Sequence, residues 1–322
     1  MGTLSALAPF RIEPRFNRRV WGFRDLNPWY DRTAAPGEDP IGEVWLTGDA
    51  NLVATGPHAG ERLDQLFAAQ GRALLGEQAP ETASPLLVKV LFAAGKLSVQ
   101  VHPDDKMAQK YGDPRGKTEC WYVLQAEPDA QLALGLKSGV TLSQVKSEIE
   151  NNTLEESLNT VTVAKEDMVF VDAGTVHAIW PGSIILETQQ NCDLTYRMYD
   201  YGRPRELHVE KSLEATKLTT HAGKIAPVEK PDRTVLIDVE YFHVERVPIH
   251  EKITAEALSG SDKPGLTYLF AASGAGRVEG QGFEPVELPV HGVVAIPATS
   301  PAFTVTDLGG LELVRITPNW PR

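Results

Sequence analysis

The stretch LSVQVHPDD, residues 97–105, predicts a short β-strand with two chemically different faces. Side chains of a strand point alternately to opposite sides. One side carries apolar residues, and the other carries a hydroxyl, an amide and an imidazole, from Ser98, Gln100 and His102. Pro103 ends the strand, because proline cannot donate to a strand ladder. We therefore expect a strand with one face in a core and the other in a polar cavity.

Short apolar segments separated by turn residues extend on both sides of this strand. They predict strands at residues 86–92, 97–102, 119–124, 168–171, 184–187 and 194–199. The 27 glycines and 23 prolines supply the turns between them. Many short strands at close spacing favour a β-sandwich or barrel. Helical spacing of apolar residues predicts three helices, at 60–75, 141–158 and 206–218.

The length of 322 residues suggests two domains, at about 150 residues each. Composition shifts after residue 222, and strands resume beyond a segment rich in charge and proline. The segments 167–177 and 292–303 both read as a strand followed by a turn of small residues, which hints at two copies of one β-barrel unit. We expect one domain at 1–222, with a helical insertion near 138–160, and a second at 223–322.

Charge and cysteine content exclude several classes of protein. The net charge is −12, from 31 basic and 43 acidic residues, which argues against a nucleic-acid partner. The two cysteines, Cys120 and Cys192, cannot form a disulfide framework, which favours a reducing cytoplasm. No apolar stretch is long enough to span a membrane, so no membrane association is expected.

Four nitrogen and oxygen donors from three β segments match a metal site: Gln100, His102, Glu119 and His177. The set has no thiolate and suits Zn²⁺, although Mn²⁺, Fe²⁺ or Co²⁺ could occupy it as well. Structural zinc sites favour cysteines, so a site of this kind points to catalysis. Any single histidine is more often a structural residue. The combination Q-x-H, Glu and G-T-x-H in this order is the stronger signal.

A second group of polar residues follows the last histidine. Glu187 ends an apolar run, and Arg197 lies ten residues further on, with Arg203 and Arg205 nearby. With Lys96 and Lys117, these arginines form a basic cluster in an acidic protein, which could hold a phosphate. The alternative is a set of surface charges in a loop, and the pattern alone leaves both open.

Several motifs resemble type I mannose-6-phosphate isomerase in its short bacterial form. They are residues 97–105, Lys117-Thr118-Glu119, residues 173–178 and TYRMYDYGR at 195–203. Arg19-Val20-Trp21-Gly22, the I-G-E-V-W segment at 41–45 and PLLVKVL at 85–91 are similar to the family's N-terminal segments. The resemblance is specific from about residue 10 to 215 and general beyond it.

The resemblance implies a mainly β fold of two cupin-like (jelly-roll) β-barrels with short helical insertions. It implies one zinc ion per chain, held by Gln100, His102, Glu119 and His177. The C-terminal barrel has neither histidine motif, so we expect it to hold no metal. Some members place a histidine three residues before the glutamate ligand, where this chain has Gly116, so that residue's role does not carry over.

The implied reaction interconverts mannose 6-phosphate and fructose 6-phosphate through a cis-enediol, within mannose metabolism. Arg197 would stabilise the enediolate, and Lys117 and Glu187 are the candidates for proton transfer. Five further residues are expected to contact the substrate. Ser98, Lys96 and Arg203 are expected at the phosphate, and Trp21 and Glu43 at the sugar.

Three alternatives stay open at this stage. The chain could be a cupin isomerase for another sugar phosphate, such as glucose 6-phosphate. It could be a metal-holding sugar-binding or regulatory cupin without turnover, although Lys117, Glu187 and Arg197 beside the ligand set argue against this. A cupin dioxygenase is the weakest of the three. The partner expected is a small sugar phosphate, and the chain is expected to be a monomer or homodimer.

Overall fold

A computed structural model describes residues 4–259 and 265–320. The first half of the chain contains these elements: β1 Phe10–Ile12, β2 Arg15–Phe23, β3 Ile41–Trp45, α1 Leu63–Leu75, β4 Leu86–Ala93, β5 Val99–Val101, α2 Asp105–Lys110, β6 Glu119–Ala126, β7 Gln131–Leu136, α3 Leu142–Asn151, a 3₁₀ turn Leu154–Ser157 and β8 Leu158–Thr162. The middle of the chain contains β9 Met168–Val171, β10 His177–Ile179, β11 Ser183–Gln190, β12 Tyr196–Tyr199, α4 Val209–Ala215, β13 Gly223–Ile225 and β14 Val228–Glu229.

The remaining elements are also mostly strands. They are β15 Thr234–Asp238, β16 Phe242–Pro248, β17 Lys252–Thr254, α5 Ala255–Ser259, β18 Thr267–Ser273, β19 Gly276–Gly280, β20 Val286–Leu288, β21 Val293–Ile296, β22 Phe303–Asp307 and β23 Glu312–Pro318. Within the described ranges no helix has the length and apolar character needed to cross a bilayer.

Hydrogen bonding groups the strands into four sheets. The N-terminal half has a seven-stranded sheet, β13-β9-β6-β11-β4-β3-β2, and a five-stranded sheet, β12-β5-β10-β7-β8. The C-terminal half has a seven-stranded sheet, β1-β21-β18-β23-β16-β15-β14, and a four-stranded sheet, β17-β22-β19-β20. The predicted mainly β, cupin-like class is confirmed, but the sheets pair face to face and do not close into barrels.

The two seven-stranded sheets pack back to back through one apolar core. Val44, Val90 and Phe92 of the N-terminal sheet share this core with Phe270 and Ile316 of the C-terminal sheet. A second core lies between the N-terminal pair of sheets, and a third lies between the C-terminal pair. Helices α3 and α4 cover the outer face of the five-stranded sheet. The result is a stack of four sheets, which buries large apolar areas on both faces of the central strands.

The sequence of strand β4 reflects its position between two covering sheets. All eight of its residues, LLVKVLFA, are buried, because the strand lies in a sheet covered on both sides. Val88 and Val90 face the C-terminal sheet, whereas Leu91 and Ala93 face the five-stranded sheet. Lys89 is on the same side as Leu91 by alternation, so its charge enters the space between the two N-terminal sheets.

Strand pairing crosses residue 222 in both directions. Strand β1 pairs with β21 in the C-terminal sheet, and β13 pairs with β9 in the N-terminal sheet. The division into 1–222 and 223–322 stays a proposal in which each half lends a strand to the other. The insertion near 138–160 contains α3 and the 3₁₀ turn. Residues 1–3, 260–264 and 321–322 of the two proposed domains lie outside the described residues.

Candidate metal centre and active site

Three buried side chains that can bind a metal ion meet between the two N-terminal sheets. His102 follows β5, Glu119 begins β6 and His177 begins β10. Their ligand atoms all lie within 4.8 Å of one another. Nε2 of His177 is 3.4 Å from Oε1 of Glu119, and Nε2 of His102 is 3.7 Å from Oε2. A cation placed among them would take ligands from three separate segments of the sheets.

The fourth predicted ligand, Gln100, lies beside this cluster. It pairs across strands with His177 on one side and with Arg197 on the other. Residues opposite each other on neighbouring strands project from the same face. The amide Nε2 of Gln100 is 3.3 Å from Nε2 of His177. Because a half-turn of the amide exchanges its nitrogen and oxygen, this placement also suits Oε1 as a ligand.

A backbone carbonyl orients each histidine. Nδ1 of His102 lies 2.9 Å from the carbonyl of Leu194, and Nδ1 of His177 lies 2.9 Å from the carbonyl of Thr175. A carbonyl can only accept, so each Nδ1 donates and each Nε2 keeps a lone pair. Burial lowers the pKa of His177 to about 4 and the pKa of His102 well below its ordinary value. Both rings are therefore neutral near pH 7.

Two buried lysines and a second carboxylate lie next to the cluster. Nζ of Lys117 is 2.6 Å from Oε2 of Glu119 and 3.0 Å from Nε2 of His102. It is also 3.4 Å from Oε1 of Glu187, which lies 3.1 Å from Nζ of Lys89. Each buried charge thus has a partner of opposite sign, which buried charges require.

Burial and neighbouring charges shift the pKa of both predicted proton carriers. Burial raises the pKa of Glu187, and the charge of Glu119 adds to that rise while the two lysines oppose it. Burial lowers the pKa of Lys117, but the charges of Glu119 and Glu187 outweigh this and raise the pKa above its ordinary value. A carboxyl group with a raised pKa beside a protonated lysine is suited to acid–base chemistry.

This donor set fits a divalent metal ion. Two imidazole lone pairs, a carboxylate and an amide form a set of nitrogen and oxygen donors without a thiolate. Oε2 of Glu119 is buried and lies 2.6 Å from Nζ of Lys117, and Oε1 faces Nε2 of His177 at 3.4 Å. Lys117 supplies positive charge on one side of these acceptors, and a bound divalent cation would add positive charge among the two imidazoles and the carboxylate.

Arg197 of β12 lies directly opposite Gln100 of β5. Nη1 of Arg197 donates to the carbonyl of Glu206 at 2.8 Å, and its backbone N–H donates to Nδ1 of His208 at 3.2 Å. Its Nε is buried and has no hydrogen-bond partner among the residues that the structure describes. The guanidinium is therefore held at one edge and keeps a donor for a ligand.

The structure brings two of the predicted phosphate contacts together. Nζ of Lys96 lies 5.0 Å from the centre of the Tyr201 ring, and the Arg203 guanidinium lies 5.3 Å from the same ring. Arg203 also donates to the carbonyl of Lys96 at 2.9 Å. Each cation is paired with a carboxylate, Lys96 with Glu155 and Arg203 with Asp200. Their role toward a phosphate stays a prediction.

The three other predicted substrate contacts are buried in the same half of the molecule. Ser98 immediately precedes β5, and Trp21 packs in the core between the two N-terminal sheets. Glu43 accepts hydrogen bonds from Arg19 at 2.9 and 3.0 Å and from Trp45 at 2.7 Å. The roles of Ser98 at the phosphate and of Trp21 and Glu43 at the sugar stay predictions.

Two residues of the site were missed by sequence reasoning. Lys89 ion-pairs with Glu187, and a charged residue in the middle of an apolar eight-residue strand is the signal that could have found it. The Trp121 ring packs edge-on 5.4 Å from the His177 ring. Its indole N–H is buried without a hydrogen-bond partner in residues 4–259 and 265–320. Only its position two residues after Glu119 hinted at this placement.

The backbone of residues 103–105 passes close to Gly116. A Cβ atom there would be 2.5 Å from both the carbonyl oxygen of Pro103 and the carbonyl carbon of Asp104. Real Cβ contacts are essentially never that short, so with this backbone position 116 has room for glycine but not for a residue with a Cβ atom. A histidine at this position is excluded without a shift of the segment.

The architecture is cupin-like, and the buried His–Glu–His cluster has the donors of a possible metal site. A family model for the catalytic domain of type I phosphomannose isomerase matches residues 9–143. The chain is 34% identical over 322 residues to "Probable mannose-6-phosphate isomerase GmuF" of Bacillus subtilis, covering 92% of this chain and 96% of that one. It is 32% identical over 287 residues to the mannose-6-phosphate isomerase of Streptococcus mutans, covering 84% and 86%. The chain belongs to the type I phosphomannose isomerase family.

Solved structures agree with this assignment. The mannose 6-phosphate isomerase of Bacillus subtilis matches with a TM-score of 0.83 and 27% identity, over 96% of this chain and 99% of that one. A putative mannosephosphate isomerase from Archaeoglobus fulgidus matches with a TM-score of 0.76 and 22% identity, over 98% and 100%. The second likeness shows the fold alone.

Proposed function

We propose that this chain interconverts mannose 6-phosphate and fructose 6-phosphate. The observation that carries the proposal is the buried cluster of His102, Glu119 and His177 beside Lys117 and Glu187. The curated relatives named above bear the name of this activity. A metal site with adjacent proton carriers is what an aldose–ketose isomerase of this family requires.

We propose that Gln100, His102, Glu119 and His177 hold one Zn²⁺ ion per chain. Bound there, the ion would supply a Lewis acid that polarises substrate oxygens or water. The two oriented imidazoles and the buried carboxylate support a divalent cation. Among the metals that this donor set suits, we propose zinc.

The reaction must move a proton between C2 and C1 of the sugar. We assign this to Lys117 and Glu187, whose Nζ and Oε1 lie 3.4 Å apart, close enough to address neighbouring carbons. Arg197 supplies a fixed positive charge for the enediolate oxygens, because its guanidinium is anchored by Glu206 and keeps Nε unused. One of the two residues acts as the base. Its replacement by a neutral side chain of similar size should abolish proton exchange at C2.

We propose that the phosphate binds near Lys96, Arg203 and Ser98, and that Trp21 and Glu43 line the sugar pocket. Lys96 and Arg203 are adjacent through the 2.9 Å hydrogen bond between them. A phosphate carries more charge than the single carboxylates with which these cations now pair. Substrate binding would therefore replace Glu155 and Asp200 as their strongest partner.

We further propose a cytoplasmic protein that acts as a monomer or homodimer on a small sugar phosphate. The two cysteines are free, which fits a reducing compartment. Light scattering on the purified protein tests the oligomeric state, and a trimer or larger assembly would contradict it.

A substrate panel on metal-analysed protein tests the function. Mannose 6-phosphate, glucose 6-phosphate and pentose phosphates are supplied separately, and ketose formation is followed in a coupled assay. We expect turnover with mannose 6-phosphate that stops with chelator. Turnover confined to another sugar phosphate, or tight binding of mannose 6-phosphate without conversion, would contradict the proposal. A Glu187→Gln and a Lys117→Met variant, assayed for deuterium loss from C2, then identify the base.

A further inference from the structure

The segment that carries Lys117 and leads into Glu119 lies outside the strands. Its backbone is held by side chains from elsewhere. The N–H of Gly116 donates to Oδ1 of Asp105 at 2.7 Å, and the N–H of Thr118 donates to Oε1 of Gln190 at 2.9 Å. Two of the three N–H groups around Lys117 therefore depend on these two side chains.

The two side chains are joined to each other and to the C-terminal half. Nε2 of Gln190 donates to Oδ1 of Asp105 at 2.9 Å. The hydroxyl of Tyr241 donates to Oδ2 of the same carboxylate at 3.0 Å. Tyr241 lies in the turn between β15 and β16, more than a hundred residues from Asp105. Burial and the Asp105 charge raise the pKa of Tyr241, so its phenol keeps the proton that it donates.

The turn that carries Tyr241 is itself fixed. The N–H of Asn319, after β23, donates to the carbonyl of Tyr241 at 2.9 Å. The side-chain amide of Asn319 donates to the carbonyl of Val239 at 2.8 Å and to Oδ1 of Asp238 at 2.9 Å. The tyrosine hydroxyl is thus presented by an ordered part of the C-terminal sheet.

We propose that Asp105, Gln190 and Tyr241 form a positioning relay, through which the C-terminal half places Lys117 and Glu119. Oriented supports of this kind set the affinity of a site for its metal, and their loss weakens it about 10- to 100-fold for groups next to the ligands. The relay therefore links the C-terminal half to metal affinity and turnover. Its turnover part rests on the proposed function, whereas its metal-affinity part does not.

The chain offers a matched control for this relay. The hydroxyl of Tyr30 donates to the carbonyl of His291 at 2.8 Å, which is also a bond between the two halves. Tyr30 packs against aromatic residues and has no bond to the segment at 113–118. Tyr30→Phe and Tyr241→Phe each remove one hydroxyl and one bond between halves, but only the second touches the relay.

The test measures Zn²⁺ affinity by competition with a chromophoric chelator, and the visible spectrum of the Co²⁺ form, in three variants. We expect affinity to fall about 3- to 10-fold in Tyr241→Phe and about 10- to 100-fold in Asp105→Ala, with an altered Co²⁺ spectrum in both. Tyr30→Phe should keep wild-type affinity within about twofold. Thermal unfolding separates these effects from general destabilisation, since Tyr30→Phe and Tyr241→Phe should lose similar stability.

Turnover adds a second readout. We expect kcat of Tyr241→Phe to fall in step with metal occupancy and KM for mannose 6-phosphate to stay within about twofold. The relay is overturned if Asp105→Ala and Tyr241→Phe fold, bind Zn²⁺ with wild-type affinity and give the wild-type Co²⁺ spectrum. If the wild type fails to convert mannose 6-phosphate while the affinity pattern holds, the proposed function fails and the relay stands.

Discussion

The site is built around charges that the protein buries in pairs. Lys89, Lys117, Glu119 and Glu187 are each at most 4% exposed, and their formal charges sum to zero. A divalent cation added to this set would leave a net positive site, which suits an anionic substrate in a protein of net charge −12. The local balance, and not the overall charge, therefore determines what the cavity can bind.

Replacing Arg197 by alanine should reduce kcat by about 10²- to 10³-fold, the usual loss when one stabilising donor is removed. The metal should stay bound, because Arg197 is outside the ligand set. Steady-state kinetics together with metal analysis checks this. Near-normal kcat in Arg197→Ala would remove the residue from the proposed mechanism.

Replacing Lys89 by methionine should lower the free energy of unfolding by about 3 kcal/mol, because it leaves the buried Glu187 with one cation fewer. Lys165→Met is the control, since the contact of Lys165 with Glu166, at 3.9 Å, is exposed. We expect less than about 0.5 kcal/mol there. Urea unfolding measures both, and equal effects would contradict the burial argument.

The sequence predicted the individual metal-binding residues of the site better than the contacts around them. Spacing and residue type pointed to His102, Glu119 and His177, whose ligand atoms the structure brings together. Lys89 escaped because a charge in an apolar strand reveals its partner only once the strands are paired. Asp105 escaped because its three hydrogen bonds come from residues distant in sequence.

At the scale of elements, the strands followed from composition better than the connections between them did. The runs in β4, β9 and β11 are apolar because sheets cover both of their faces, and each coincides with or extends a predicted strand. Helix α2 was missed, since its six residues are too few for helical periodicity to be visible. The side-chain hydrogen bonds that hold residues 113–118 have no periodic signature in the sequence.

The connection before β6 gives a prediction at this scale. Gly116→Ala should destabilise the protein by about 1–3 kcal/mol, because its Cβ would overlap the backbone at Pro103 and Asp104. Gly223→Ala is the control, since a Cβ there meets nothing within 4 Å. Denaturant unfolding compares the two variants. If Gly116→Ala were as stable as Gly223→Ala, the close approach would be wrong.

At the scale of the whole molecule, the C-terminal half contributes an ion cluster of its own. Oε1 of Glu245 lies 2.8 Å from both Arg233 and Arg315, and its Oε2 lies 3.0 Å from Nε2 of His243. Burial raises the pKa of Glu245, but hydrogen bonds from His243 and Arg315 and the arginine charges lower it to about 2. The carboxylate therefore stays ionised across the pH range in which the protein is expected to work.

This cluster predicts how stability changes with pH. Burial lowers the pKa of His243, but its bonds to Glu245 and Asp238 outweigh this and raise the pKa above 6.5. The folded state then binds the proton more tightly, so the stabilisation is full below pH 6.5 and is lost as pH rises through the folded-state pKa. The difference in unfolding free energy between wild type and His243→Gln should shrink by about 1 kcal/mol from about pH 5.5 to pH 9.

The control for this prediction is the exposed pair of His58 and Glu61. His58→Gln should change the unfolding free energy by less than about 0.5 kcal/mol at any pH. A difference in unfolding free energy between wild type and His243→Gln that grows with pH would mean that folding lowers the pKa of His243, and this would contradict the prediction.

In the proposed mechanism, a metal held by His102, Glu119 and His177 is required to isomerise mannose 6-phosphate. The most direct measurement strips the protein of metal and titrates it with Zn²⁺ while bound zinc and fructose 6-phosphate formation are recorded together. We expect turnover that rises in proportion to bound zinc and levels off at about one equivalent per chain. Full turnover of the metal-free protein, or none with one equivalent bound, would contradict it.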